Sequence, residues 1–101
     1  MIQHHVYFYL KEEYKTAESR TEFEKGMDLC KNIPCVAGGD WGLSAGTPER
    51  PVTDKSWDYA LCLSFESVDD HNAYQVHPDH DVFVNACKDF WKDVKIMDVE
   101  L

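Results

Sequence analysis

The sequence lacks any apolar run that approaches the roughly 20 residues needed for a helix to cross a bilayer. Its first stretch, MIQHHVYFYLK, also lacks the basic segment followed by a long apolar region that marks a secretory leader. These two absences argue against a membrane-embedded or exported protein. We therefore expect a soluble protein of the cytoplasm.

Basic residues are scarce. The 101 residues include 10 Lys and Arg against 19 Asp and Glu, which gives a formal net charge of −9. A surface with this excess of negative charge repels phosphate backbones and anionic lipid. Nucleic acid and membrane surfaces are therefore not expected as partners.

Paired cysteine motifs are absent as well. The four cysteines are Cys30, Cys35, Cys62 and Cys87, and no two of them have the two-residue spacing of zinc or redox motifs. We expect buried, reduced thiols at these positions and no metal held by them.

What the chain does contain is enough apolar material for a core. Hydrophobic residues make up 44% of it and aromatic residues 13%, a composition that disordered chains do not have. A chain of 101 residues suffices for one domain with one modest core, so residues 1–101 are predicted to form a single domain.

The first predicted strand alternates in character along Ile2 to Lys11. One face is mostly aliphatic and carries Ile2, His4, Val6, Phe8 and Leu10. The other face is aromatic with polar tips and carries Gln3, His5, Tyr7, Tyr9 and Lys11. This asymmetry indicates that both faces are covered, each by a different partner.

The segment TAESRTEFEKGMDLCKNIP predicts the first helix. Ser19 and Glu22 have the spacing of a capping box, and Pro34 ends the pattern. Apolar residues recur at helical spacing at Phe23, Met27, Cys30 and Ile33. Gly26 is unexpected in this interior because glycine costs about 1 kcal/mol relative to alanine there.

Two further strands follow. The glycine-rich stretch CVAGGDWGLSA predicts an irregular, bulged strand, and GTPERPVTDKS predicts a surface connection. The stretch WDYALCLSFES alternates again, with its apolar face formed by Trp57, Tyr59, Leu61, Leu63 and Phe65.

The last third of the chain predicts a helix in two parts and a closing strand, VKIMDVEL. Ser67 and Asp70 form a capping-box pattern for a short helix, and Pro78 begins a new helix with His77 at its cap. The apolar face of the second helix is predicted to comprise Phe83, Ala86, Cys87, Phe90 and Val94.

The predicted order is strand, helix, strand, strand, two-part helix, strand. This is the ferredoxin-like βαββαβ arrangement, an α+β fold in which a four-stranded antiparallel sheet carries its helices on one face. The other face would expose Tyr7 and Tyr9 to water, an aromatic patch larger than monomers normally tolerate. We therefore expect a homodimer in which two such faces meet as a dimeric α+β barrel.

Three passages, IQHHVYFYLK, WDYALCLSFES and AYQVHPDHDVF, together resemble the stress-responsive dimeric α/β-barrel (Dabb) family. The resemblance covers nearly the whole chain and is weakest from Thr47 to Ser56. Its most specific part is the FES segment followed by a tyrosine and an H-P-x-H motif.

The resemblance to polyketide cyclases of this family implies a set of site residues. His80, the second histidine of H-P-x-H, would be the catalytic base, Tyr74 its partner, and His4 a further histidine of the same pocket. It implies no cofactor and a small hydrophobic carbonyl ligand. The side chains expected to contact that ligand are Val6, Phe8, Phe23, Met27, Leu61, Leu63, Phe83 and Trp91.

These residue types suit proton transfer next to a carbonyl. A histidine that titrates near neutrality can accept a proton from an activated carbon. A tyrosine can then donate a hydrogen bond to the oxygen on which charge develops. The first hypothesis is therefore a cofactor-free cyclase, lyase or isomerase.

Three alternatives remain open. The chain could be a non-catalytic dimer or ligand-binding module whose histidines cap helices. His77 and His80 could bind a metal together with Asp79 or His71, although a proline and a helix boundary intervene. Monooxygenases also use dimeric barrels, and Asn72, His77 and Trp91 are residue types that some of them employ.

Overall fold

The chain folds as β1 (Ile2–Leu10), α1 (Ala17–Lys31), β2 (Gly38–Gly42), β3 (Tyr59–Phe65), α2 (Val68–Gln75), α3 (Pro78–Cys87) and β4 (Trp91–Glu100). A 3-10 turn at Glu12–Tyr14 precedes α1. This computed structural model describes all residues, 1–101. The predicted order of elements is confirmed, and no helix has the length and apolar character to cross a membrane.

The four strands form one antiparallel sheet in the order β2-β3-β1-β4. β1 is central and pairs with both β3 and β4, so its residues from Ile2 to Phe8 have a neighbour on either side. His4, for example, lies opposite Leu63 on β3 and opposite Asp98 on β4. This topology confirms the ferredoxin-like α+β fold.

The alternation predicted for β1 is confirmed by burial. Its even-numbered residues from Ile2 to Leu10 are buried, and its odd-numbered residues from Gln3 to Tyr9 are partly exposed. The buried side packs against α1, α2 and α3 through Phe23, Met27, Tyr74, Phe83 and Cys87, among others. Burial of such side chains stabilises the fold by roughly 1.5–3 kcal/mol each, which holds all three helices on one face.

The N-terminus of α1 differs from the prediction. Thr16 is the cap, and its hydroxyl oxygen accepts a hydrogen bond from the Ser19 backbone N–H at 3.2 Å. The capping box expected from Ser19 and Glu22 is therefore wrong, because the helix already begins at Ala17. The cap expected at Ser67 is confirmed, since its hydroxyl accepts from the Asp70 N–H at 3.1 Å.

Gly26 lies where α1 meets α3. A Cβ at this position would lie 2.3 Å from Cδ1 of Phe83, far inside contact distance. The missing side chain thus forms a notch in α1 that receives the Phe83 ring. Close helix packing explains a glycine that helix propensity alone disfavours.

Two element boundaries differ from the predictions. β3 begins at Tyr59, and the Trp57 ring packs on Tyr7 across the opposite face of the sheet, with ring centroids 5.3 Å apart. α3 ends at Cys87, so Phe90 lies beyond it, Val94 belongs to β4, and Ala86 is exposed. In both cases side chains fit the periodicity of a neighbouring element in the sequence but lie outside that element.

β2 is shorter than predicted and pairs with β3 in continuous register from Gly38 to Gly42. The sheet has its register shift between β1 and β4 instead, where Tyr9 pairs with Asp93 and Leu10 with Trp91. Gly39 has a φ of 120°, and a Cβ there would lie 2.1 Å from the Cys62 carbonyl oxygen. Gly39 therefore allows the edge strand to approach β3 closely.

Replacing Gly39 by alanine should lower the free energy of unfolding by at least ~2 kcal/mol, because the new methyl group meets backbone in a conformation that alanine rarely adopts. Gly38→Ala is the matched control, since a Cβ at Gly38 meets nothing within 4 Å. Urea denaturation of both variants measures the difference. Equal stability of the two would contradict this account.

Candidate active site

A cavity of about 150 Å³ lies between the sheet and helices α2 and α3. Strands β1, β3 and β4 form its floor, and the two helices form its roof. It is lined by His4, Val6, Phe8, Leu61, Tyr74, Gln75, His80, Phe83, Val84, Trp91, Val94 and Ile96. The structure thus brings the three predicted catalytic residues, His4, Tyr74 and His80, to one cavity.

The expected ligand contacts divide into two groups. Val6, Phe8, Leu61, Phe83 and Trp91 line the cavity. The other three expected contacts do not border it, because they are fully buried in the core: Phe23, Met27 and Leu63.

Four lining residues escaped the sequence reasoning: Gln75, Val84, Val94 and Ile96. Two of them follow from strand register, because Val94 pairs with Phe8 and Ile96 with Val6, and paired residues share a face of the sheet. Both lie in the predicted strand VKIMDVEL, so the missing signal was the register of that strand against β1.

His80 lies in the first turn of α3, with its ring edge-on to that of Tyr74 at a centroid distance of 4.9 Å. Its imidazole is partly buried, and this burial lowers the pKa of His80 below its ordinary value. Each of the other four histidine rings has a hydrogen-bond partner, whereas that of His80 has none. His80 is therefore a neutral imidazole near pH 7 with its nitrogens uncommitted.

Tyr74 is buried, with 2% of its surface exposed, and lies beside the Cys30 thiol of α1. Burial, with the Cys30 neighbour as a smaller cause, raises the pKa of Tyr74 far above its ordinary value. Burial likewise raises the pKa of the Cys30 thiol to about 11. Both groups keep their protons, so Tyr74 is a hydrogen-bond donor and Cys30 is not a nucleophile.

His4 is held by a residue that the sequence analysis did not find. Its Nδ1–H donates to Oδ1 of Asp98 at 2.5 Å, across the β1–β4 pair. Burial lowers the pKa of His4, and the hydrogen bond to Asp98 opposes that effect. Because Asp98 fixes the ring, the other nitrogen, Nε2, has a defined direction.

His77 is accounted for by helix capping. Its Nδ1 accepts a hydrogen bond from the Asp79 backbone N–H at 3.0 Å, and Pro78 occupies the first turn of α3. The metal arrangement considered for His77, His80 and Asp79 is not assembled. The acidic and histidine side chains whose ligand atoms do lie close together are those of His4, His71 and Asp98.

The three residues considered for a monooxygenase do not converge either. Asn72 is exposed on α2, His77 caps α3, and only Trp91 lines the cavity.

The family model of the Stress Responsive A/B Barrel Domain (Dabb) matches residues 2–101. The chain belongs to this family. The match spans the whole sheet and all three helices, and it confirms the resemblance inferred from the sequence.

The Dabb chain is similar to several characterised or solved proteins. Olivetolic acid cyclase of Cannabis sativa is 24% identical over 97 residues, which cover 96% of this chain and 93% of the cyclase. A dimeric ferredoxin-like protein of unknown function from Thermobifida fusca has a TM-score of 0.80 at 21% identity, covering 99% of this chain and 90% of that one. Hydroxynitrile lyase of Passiflora edulis has a TM-score of 0.79 at 15% identity, covering 99% and 92%.

The capping role of His77 in this Dabb domain gives a stability prediction. His77→Ala should lower the free energy of unfolding by ~1 kcal/mol, because the Asp79 N–H loses its acceptor. His77→Asn should retain most of that stability, since asparagine is a strong N-cap residue. Thermal and urea denaturation distinguish the two variants. An equal loss in both would mean that His77 contributes by packing and not by capping.

Proposed function

We propose that this Dabb chain is a cofactor-free enzyme, a cyclase or lyase acting on a small, largely apolar carbonyl compound, with His80 as the general base. The observation that carries the proposal is the convergence of His4, Tyr74 and His80 on one cavity whose remaining walls are mostly apolar. An uncommitted neutral imidazole that lines a partly open, mostly apolar cavity is suited to proton abstraction.

In the proposed reaction His80 removes a proton from the carbon next to a carbonyl group. The electron pair left on that carbon delocalises onto the carbonyl oxygen, and the Tyr74 hydroxyl donates a hydrogen bond to it. For a cyclase, the enolate carbon then attacks a second carbonyl of the same molecule, and the His80 imidazolium returns the proton to the new alkoxide. His4, held by Asp98, positions the substrate.

The dimensions of the cavity limit the substrate. Its volume of about 150 Å³ lies below the ≈ 300–1,000 Å³ of pockets that hold drug-sized ligands. A compound of only a few carbons fits, or the reacting end of a longer one. The apolar side chains of Val6, Phe8 and Ile96 favour an aliphatic or aromatic substituent over a charged one.

Two relatives support this class of chemistry by name, one a cyclase and the other a hydroxynitrile lyase. The cyclase matches almost the full length of this chain. In this chain the fold places a cavity between the sheet and its helices, and the residues in that cavity decide what chemistry it supports.

Proton exchange at an activated carbon provides a direct test. With 2-butanone in heavy water, the chain should accelerate the exchange of hydrogen for deuterium beside the carbonyl, as followed by NMR. His80→Asn should reduce the protein-dependent rate by at least ~100-fold, because a general base contributes 10²–10⁴-fold. His77→Asn, three residues away and outside the cavity, is the control and should retain the rate. Equal exchange by both variants would remove His80 from the mechanism.

A non-catalytic ligand-binding module is the second candidate, and the small volume of the cavity favours it. In this case the wild-type chain would not accelerate exchange. It would nevertheless bind small apolar ketones, and this binding would be weakened by substitutions at Phe83 or Trp91.

We propose further that two copies of the chain pair through the face of the sheet that the helices leave open. This open face carries Tyr7, Tyr9, Trp57, Lys95 and Met97, which surround a depression of about 320 Å³. Met97 and Val99 are 55% and 44% exposed, an apolar surface that a second copy would cover. The dimeric state of the Thermobifida fusca neighbour supports this arrangement.

Met97→Asp should convert the dimer to a monomer, because two buried carboxylates would meet across the open face. Val82→Asp is the matched control, since Val82 is also 55% exposed but lies on α3, away from that face. Sedimentation equilibrium of both variants at the same concentration gives the answer. A wild-type chain that sediments as a monomer at all concentrations would overturn the proposed pairing.

The proposed location is the cytoplasm. All four cysteines are free thiols, two of them buried and two partly exposed. Unpaired thiols are typical of reducing compartments.

A further inference from the structure

His4, His71 and Asp98 form a cluster at one end of the cavity. Three separate elements contribute to it, since His4 lies on β1, His71 on α2 and Asp98 on β4. The ligand atoms that these side chains offer all lie within 4.8 Å of one another. The two imidazole rings are 4.7 Å apart between centroids and meet edge to face.

Hydrogen bonds fix which nitrogen of each ring is free. The His4 Nδ1–H donates to Asp98, and the His71 Nδ1–H donates to Oδ1 of Asn72 at 3.2 Å. The Gln75 side-chain nitrogen lies 3.4 Å from Nε2 of His4 and 3.5 Å from Nε2 of His71. An amide nitrogen only donates, so both Nε2 atoms present their lone pairs toward one point.

Two converging imidazole lone pairs suit a divalent transition metal. Asp98 accepts from the Nδ1–H of His4, so it holds the ring of a metal-binding histidine and is not itself beside Nε2. Zinc binds histidine nitrogen at about 2.0–2.1 Å, which places the ligand atoms of a tetrahedral site about 3.3 Å apart. The ligand atoms of the cluster lie within 4.8 Å of one another, so they have to close by up to about 1.5 Å. His71, partly exposed on α2, can make that adjustment, whereas the His4 side chain is only 3% exposed and rigidly held.

We propose that His4 and His71 bind one divalent metal ion of the zinc class through their Nε2 atoms, with Asp98 as the carboxylate that holds the His4 ring. The Gln75 amide would be displaced by the ion, and water would complete the coordination. The negative charge of the chain, −9, favours cations near this partly exposed edge. The site goes beyond the proposed function, with which it shares His4 and the Asp98 that holds it.

The test is a calorimetric titration of zinc chloride into the untagged full chain after treatment with chelator, with cobalt absorption in the visible range as a second readout. We expect saturable binding of one ion per chain. His71→Asn and Asp98→Asn should each weaken zinc binding by at least about tenfold, because loss of a group that binds the metal or orients its ligand lowers metal affinity by such a factor in other proteins.

Two matched variants control for non-specific binding. His5→Asn removes an imidazole from the open face, and Asp93→Asn removes a carboxylate from the same strand as Asp98; both should bind zinc as the wild type does. His80→Asn should also retain zinc binding, so that failure of the metal site and failure of the catalytic proposal are distinguishable. Absence of saturable binding, or equal weakening by His5→Asn and His71→Asn, would overturn the site. If His71→Asn does not fold, the comparison of Asp98→Asn with Asp93→Asn decides.

Discussion

The burial of one face of β1 is the constraint on which the rest of the structure depends. β1 is the central strand, so its inward-pointing side chains form the floor of the core and of the cavity at once. Ile2 and Leu10 lie at its two ends, and His4 is the one polar side chain in this buried row. A polar residue in that row is costly unless it is hydrogen-bonded, and Asp98 on the neighbouring strand provides the bond.

The recurrence of apolar residues, every 2 residues in strands and about every 3.6 in helices, was sufficient to predict the architecture. The alternation in β1 and β3 and the spacing of Phe23, Met27 and Cys30 led to the correct element order, and the H-P-D-H stretch located the cap and start of α3. Boundaries were less predictable. Val94 fits a helical face after Phe83 and Cys87, yet the chain reverses after Cys87 and Val94 falls on a strand.

Pairs formed across the sheet lay beyond the reach of sequence reasoning. Asp98 is 94 residues from His4 along the chain, and only the register of β1 against β4 brings them together. His71 is similar, because its position over His4 depends on how α2 lies on the sheet. The residues from local motifs, Tyr74 and His80, line the cavity as expected, whereas Asp98, which orients His4, comes from a distant part of the chain.

The notch at Gly26 links helix packing to the chamber beneath. Phe83 fills that notch with one edge of its ring and borders the cavity as well. A larger residue in the notch would push the ring toward the sheet and reduce the space left for a guest molecule. Because Gly26 on α1 has no side chain, the Phe83 ring can stay away from the sheet. Gly26 therefore influences the size of the compounds that can be admitted beneath α3.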